Sequence, residues 1–397
     1  MTHMQYKQLA SLPKPDLLSA EHSKKVAHHI RSKIRKAGGQ ISFAEFMHEA
    51  LYSRGLGYYS AGLTKFGRDG DFITAPEISS IFGAVIANQC IEVLNQIKNG
   101  GILEFGAGSG KLAVDILSSL DEKKSLPRTY NIFEVSPDLI ERQKNKLKND
   151  LPHMLDRVNW LSEIPSNFEG VVIANEVLDA LPVERFIKRK SGISQLFVSV
   201  KGNEFVWIEE KASDNLVREV SFIEDEIGKS FSLGYQSEIN FAARKWISYL
   251  ETFMKHGVVF LFDYGVSRRE YYAIDRYDGW IRCHYRHYAH NNPLILPGIQ
   301  DLTSWIDFSA IAHSAYEAGL NIMGYQNQSQ FLLGGGLENE ILKITDYPID
   351  KKIKLLNEIK ILTLPSEMGE NFKFMALGKG NIKSLTTFDY ADRRQVL

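Results

Sequence analysis

From Gly101 onward, short apolar runs of strand length alternate with longer stretches in which apolar residues recur at helical spacing. Residues 102–105, 130–135, 158–161, 171–174 and 258–262 are rich in Ile, Val, Leu, Phe and Tyr, as expected of strands covered on both faces of a parallel sheet. Residues 112–120, 138–148 and 241–254 carry the helical period between them. The pattern predicts an α/β fold built on five parallel strands and their crossover helices.

The chain on either side follows other rules. Residues 22–36 predict a basic helix ending near Gly38-Gly39, and Ser42-Phe43-Ala44-Glu45 has the form of a capping box opening a helix over 43–52. Residues 53–76 interleave Gly55, Gly57, Gly62, Gly67 and Gly70 with Tyr58, Tyr59, Phe66 and Phe72, the pattern of an ordered loop, and Pro76 then opens a helix through Leu94. Residues 184–210 are β-rich around a Lys201-Gly202-Asn203 turn, which predicts a hairpin insertion. An aromatic and His-rich stretch, 264–307, precedes a helix at 308–318 and two final strands, near 322–333 and 371–377.

At 397 residues with 44% apolar and 24% charged positions, the chain can bury a large core. Its 47 basic and 48 acidic residues give a net charge of -1, so no general pull toward nucleic acid is expected. Cys90 and Cys283 are too few and too far apart for a disulfide framework, which points to a reducing compartment. No run of 18 apolar residues occurs, so no membrane insertion is expected.

Glu104-Phe105-Gly106-Ala107-Gly108-Ser109-Gly110 joins the first strand to its helix. Counting from Gly106, the sixth position is Lys111, which breaks the dinucleotide fingerprint, and no Gly-Lys-Ser/Thr closes the turn as in a P-loop. The form is acidic-x-Gly-x-Gly-x-Gly, as in the first motif of S-adenosylmethionine (SAM) methyltransferases. A carboxylate there attracts a cofactor carrying an ammonium and a sulfonium and would repel a pyrophosphate. Glu134 ends the second strand, where an acid can accept both hydroxyls of a ribose; the alternative is a helix cap. Trp160-Leu161 at the third strand end can flank adenine or belong to the core. The fourth strand ends in Asn175-Glu176-Val177-Leu178-Asp179, and two carboxylates three apart match the donor fork of a guanidinium.

Taken together, these motifs resemble the MidA-type SAM-dependent methyltransferases, the family of the mitochondrial complex I assembly-factor arginine methyltransferase. The resemblance spans most of the chain. It rests on Phe46-Met47, Ala50-Leu51-Tyr52, Gly57-Tyr58-Tyr59, the run from Gly70 to Ser79, the glycine motif and the segment from Asn175 to Pro182. It continues in Asp263-Tyr264-Gly265, Pro297-Gly298, Asp301-Leu302-Thr303, Asp307-Phe308 and Glu367-Met368-Gly369. Phe105 and Ala107 replace residues common in the family's glycine motif, and Ser53-Arg54 stands where a proline is frequent.

The resemblance implies a class I methyltransferase core, Rossmann-like with a mostly parallel seven-strand sheet. The expected division is a helical N-terminal region with a cofactor-covering loop (1–98), the first part of the core (99–183), a β-hairpin and helix insertion (184–256), and the second part of the core with a substrate-side loop, 264–307, and C-terminal strands (257–397). It implies SAM as cofactor, S-adenosylhomocysteine as product, and a protein arginine as acceptor. The cofactor residues implied are Thr74, Pro76, Glu104, Gly106, Ala107, Gly108, Gly110, Glu134, Val135, Trp160, Leu161, Asn175 and Glu176. The acceptor-side candidates are Glu176 first, then Asp179, Glu77, Asp263 and Asp301.

Two rivals stay open: methyl transfer to a small molecule or another side chain, and a non-catalytic assembly protein on the same fold. Cys283, His284, His287 and His290 are zinc-ligand types, but their spacing does not converge on one point, so no metal is expected. A substrate-side loop is the preferred reading there. No nucleophile elbow is present. A protein substrate is the expected partner, with a homodimer left open; the expected compartment is a bacterial cytoplasm, with the mitochondrial matrix as the alternative.

Overall fold

The computed structural model describes residues 12–61, 74–343 and 347–397. Phe66, Phe72 and the motif residues 70–73 lie outside the described residues. The chain begins with α1 (Leu17–Lys36), β1 (Gln40–Ser42) and α2 (Phe43–Tyr52). Asp16 caps α1, and Ser42 and Glu45 form the expected capping box of α2. The helix expected from Pro76 is broken at Ser79, whose extended backbone separates α3 (Ala75–Ile78) from α4 (Ser80–Leu94).

The core then alternates as the pattern predicts: β2 (Gly101–Phe105), α5 (Lys111–Glu122), β3 (Tyr130–Phe133), α6 (Pro137–Asp150), β4 (Val158–Leu161) and β5 (Phe168–Asn175). An insertion follows with β6 (Glu184–Arg189), β7 (Gly192–Lys201), β8 (Glu204–Lys211), α7 (Asp214–Ile227) and β9 (Gln236–Ile239). The core resumes with α8 (Phe241–Phe253) and β10 (Met254–Val266). Then come α9 (Arg268–Tyr271), β11 (Ile281–Tyr285), β12 (Tyr288–His290), β13 (Asp301–Ser304), β14 (Ile306–Asp307), α10 (Phe308–Glu317) and β15 (Asn321–Asn327). The chain closes with α11 (Gln328–Gly334), α12 (Leu337–Lys343), α13 (Ile349–Thr363), α14 (Met368–Asn371), β16 (Phe372–Lys379) and α15 (Thr387–Tyr390).

The central sheet runs β15-β16-β10-β5-β2-β3-β4, with β14 pairing beside β10. From β10 to β4 all neighbours are parallel; β16 is antiparallel to both β10 and β15. This is the expected class I methyltransferase sheet with its reversed strand next to the edge. Helices α4, α5 and α11 pack one face, while α8 and α10 pack the other. Both faces of β2 and β5 are therefore buried, which is why their sequences carry no polar alternation.

Three sequence expectations are corrected. The hairpin at 184–210 is part of a five-stranded sheet, β1-β7-β6-β9 with β8 on β7, because β1 pairs with β7 across more than 150 residues of chain. The stretch 264–307 contains a three-stranded sheet, β12-β11-β13, rather than a loop. The penultimate strand ends at Asn327, not near 333, because Asn327 and Gln330 form a capping box that starts α11 within the polar run from Gln326 to Gln330. The glycines at 334–336 consequently end a helix.

Strand order reverses between β2 and β5, since the chain steps outward to β4 and then returns to the other side of β2. A crevice must open there at the carboxyl ends. At the opposite ends of the same strands, Gly101, Gly170 and Gly257 stand side by side. Gly170 has φ +138°, and a Cβ on it would collide with the Gly101 carbonyl. We expect Gly170→Ala to cost about 3 kcal/mol or more, combining strain with overpacking. Gly192→Ala, at a hairpin turn with φ +120° but open space around it, carries the backbone strain without the collision and should cost only about 1–2 kcal/mol. Urea midpoints of the two variants compare them directly, and equal midpoints would show that the strands can part freely at this end.

Candidate active site

The crevice holds a cavity of about 240 Å³ at the carboxyl ends of β2, β3 and β5. Its wall includes Thr74, Pro76, Glu77, Glu104, Gly106, Ala107, Gly108, Glu134, Val135, Asn175, Glu176, Asp179 and Asp301. The structure thus gathers in one place ten of the cofactor candidates and four of the acceptor-side candidates, with Glu176 in both sets. Gly110, Trp160, Leu161 and Asp263 lie outside the wall.

The glycine loop takes its shape from three left-handed residues, Gly106 (φ 62°), Gly108 (φ 52°) and Gly110 (φ 82°), a conformation that a side chain resists. Gly106 N–H bonds to Phe133 O at 3.0 Å and Gly110 N–H to Ala107 O at 2.8 Å, and Gly110 caps α5. Ser109 Oγ donates to Glu77, which fastens α3 to the loop. Glu104, buried in β2, accepts a 2.8 Å bond from Tyr130 Oη, and burial pushes its carboxyl up to about 7. Glu134 Oε1 accepts from Ser136 N–H at 3.0 Å and its Oε2 from Gln143 at 3.2 Å.

The far end of the cavity is a cluster of acids. Glu176 stands just beyond β5 with φ 51°, a left-handed conformation for a non-glycine residue, held by a 2.8 Å bond from its N–H to Phe262 O. Such strain costs about 1 kcal/mol or more and is retained where geometry matters. Asn175 Nδ2 donates to Glu176 at 3.2 Å, while Asn175 Oδ1 is buried with no partner among the described residues. Burial, followed by the charges of Asp179 and Asp301, raises the Glu176 carboxyl well above the usual range. Asp179 is raised by burial and by Asp263 and Asp301.

Asp263, at the end of β10, plays another part. Its Oδ2 accepts from the Leu178 and Asp179 N–H groups at 2.9 and 3.2 Å, and its Oδ1 from Tyr264 N–H at 2.9 Å. It fixes the turn that carries Asp179 and does not face the cavity. Asp301, at the start of β13, accepts a 2.8 Å bond from Tyr59 Oη. Tyr52 stacks on Tyr59 at 5.5 Å between centroids and donates to Ala180 O at 3.0 Å.

Six acidic residues line the cavity and, among the described residues, no Lys, Arg or His does. That charge balance rejects a pyrophosphate and favours cationic ligands. The unpartnered Asn175 Oδ1 is an acceptor suited to an ammonium, and the glycine backbone allows close approach. The residues present therefore fit SAM. Tyr52, Tyr59, Ser109, Phe133 and Trp246 also line the wall and were not singled out from sequence as site residues; Tyr52 and Tyr59 sit within quoted family motifs, which was the available signal. Among the described residues no group of three His, Cys, Asp or Glu side chains is placed to hold a metal.

Comparison with known proteins agrees with this geometry. Residues 85–326 match the family described as "Putative S-adenosyl-L-methionine-dependent methyltransferase". The mitochondrial protein arginine methyltransferase NDUFAF7 of Danio rerio is 28% identical over 95% of this chain and 91% of its own length. The NDUFAF7 homolog of Drosophila melanogaster is 28% identical over 89% of this chain and 85% of its own. A crystal structure of a Burkholderia thailandensis protein bound to S-adenosyl-homocysteine superposes with TM-score 0.93 at 35% identity, covering 98% of this chain and all of that one. The chain belongs to the MidA-type family of S-adenosyl-L-methionine-dependent methyltransferases.

Proposed function

We propose that this methyltransferase acts on an arginine guanidinium of a protein substrate. The observation that carries the reading is the cluster of Glu176, Asp179 and Asp301 in a cavity with no lining cation among the described residues. Carboxylates at fixed separations match the planar donor fork of a guanidinium better than the point charge of an ammonium. The curated relatives named protein arginine methyltransferases support it.

SAM supplies an electrophilic methyl on a sulfonium. The chain's own residues align the acceptor and manage one proton. Glu134 accepts the ribose hydroxyls, the glycine loop and Glu104 hold the amino-acid end, and Thr74, Pro76, Ala107 and Val135 enclose it. Asn175 Oδ1 accepts from the ammonium. Asp179 and Asp301 accept guanidinium N–H bonds and turn one nitrogen toward the methyl, with Glu77 at the rim. As that nitrogen gains carbon it must lose a proton, which Glu176 accepts at its carboxylate. Asp263 acts through the 178–179 backbone as a positioning residue.

The cytoplasmic placement expected from the sequence gains no support from the curated relatives, which are named mitochondrial; we propose the mitochondrial matrix as the compartment more consistent with them. No helix among the described residues is long and apolar enough to cross a membrane.

Calorimetric titration with SAM tests the cofactor half. Glu134→Ala should weaken binding about 10- to 100-fold, the worth of a charged hydrogen-bond pair, and unchanged affinity would remove Glu134 from the site. For the acceptor half, methylation of a tryptic digest of the host proteome, read by mass spectrometry, should yield methylarginine. Modification confined to lysine or to small molecules would overturn the arginine reading. Glu176→Gln should lower turnover about 100-fold or more with SAM affinity retained.

The raised Glu176 carboxyl gives a pH signature. Its proton-accepting form appears only as pH rises through the raised value, so wild-type turnover should climb on a limb displaced above the usual carboxylate range. The same groups bind more protons folded than unfolded, so stability of the ligand-free protein should fall as pH rises over that interval. A turnover profile of Glu176→Gln that keeps the limb would assign it to another group.

A further inference from the structure

Gln143 is a polar residue in an apolar place. It belongs to the α6 stripe Leu139, Gln143, Leu147, all buried, and is itself fully inaccessible. A buried amide is costly unless its groups are paired. Here they are: Nε2 donates to Gly108 O at 3.0 Å and to Glu134 Oε2 at 3.2 Å, while Oε1 accepts from the Trp160 indole N–H at 2.9 Å. The orientation of the amide is determined by its partners. An indole can only donate, and a carbonyl and a carboxylate can only accept, so reversing the amide would break all three bonds.

One side chain therefore ties together the glycine loop after β2, the acid after β3 and the end of β4. The neighbouring backbone is fitted to it as well, since a Cβ on Gly110 would sit 3.2 Å from Gln143 Cα and Cγ. Glu134 has a second anchor at Ser136 N–H on its other oxygen. With both oxygens held, the carboxylate cannot swing away from the cavity it lines.

We infer that Gln143 is a positioning residue for the nucleoside half of the cofactor, acting through Glu134 and the glycine loop, with Trp160 as the partner that orients its amide. The inference rests on the reading of Glu134 as the ribose acid. It assigns Trp160 a place behind the site, in the hydrogen-bond chain to the ribose acid, and not on the cavity wall.

The test is a double-mutant cycle read by calorimetry with S-adenosylhomocysteine and its 2′-deoxyribose analogue. Gln143→Met keeps volume and removes the bonds; we expect binding about tenfold weaker and a reduced preference for the ribose over the deoxyribose ligand. Combined with Glu134→Gln, the losses should be less than additive. Wild-type affinity in folded Gln143→Met, or fully additive losses, would overturn the inference. Trp160→Phe, which removes the indole N–H together with part of the ring but keeps an aromatic side chain, is the second variant should Gln143→Met not fold: it should weaken binding severalfold and reduce the preference for the ribose over the deoxyribose ligand, and no change would also overturn the proposal. Unchanged binding in Glu134→Gln alone would instead show that the reading of Glu134 is at fault.

Discussion

Burying several carboxyl groups around one cavity that, among the described residues, no basic side chain lines is the constraint on which this structure turns. Each ionised carboxylate taken from water costs several kcal/mol unless hydrogen bonds or opposite charge replace the solvent. The protein meets the requirement unevenly. Asp263 receives three backbone N–H bonds and Asp301 a tyrosine hydroxyl and the Leu302 N–H. Glu176 receives the Asn175 amide and sits on strained backbone. It stands at the end of β5, where strand order reverses, and the neighbouring charges of Asp179 and Asp301 add to the cost that burial sets on ionising it. A cationic ligand relieves exactly the charge that folding concentrates there, so binding and stability draw on the same electrostatic imbalance.

That imbalance explains why burial is assigned as it is. Burial pushes Glu104 toward its neutral form while the Tyr130 hydroxyl, donating to its carboxylate, opposes that shift, and it sits beside the loop glycines on the cavity wall. Glu134 is held at both oxygens and stays oriented. The strand-end side of the cavity is consequently tied in place by hydrogen bonds within the protein, the prior alignment on which transfer by proximity depends.

Much of the strand-end side of the cavity was legible in the sequence because its determinants are local. A continuous apolar strand, a glycine turn and a following helix specify the loop within a dozen residues, and Glu134 and Asn175 are strand-end positions by the same logic. Gln143 was missed although its signal was present, an amide on the apolar stripe of α6. Other features were not readable from local pattern at all. Tyr59 meets Asp301 across 242 positions, β1 adds to β7, and the small sheet that carries Asp301 is assembled from an aromatic stretch with no clean alternation. The capping box at Asn327 lies in a polar run, Gln326 to Gln330, between two apolar stretches, and reading 322–333 as one strand passed over that polar break.

The division between legible and hidden parts follows the chemistry. Core strand ends supply the side of the cavity made by the glycine loop, Glu134 and Asn175. The other side comes from pieces added to the core: Tyr52 and Tyr59 from α2 and the turn after it, and Asp301 from the three-stranded sheet. These pieces pack on one another and on the insertion sheet through a hydrophobic cluster of their own, which includes Phe43, Phe46, Val198, Cys283 and Leu302. The position of Asp301 is therefore set by a core separate from those packed on the central sheet, and the two sides meet at the acid cluster. A substitution within that second core would shift Asp301 relative to Glu176 while leaving the glycine loop in place, so acceptor choice can change without loss of the methyl donor.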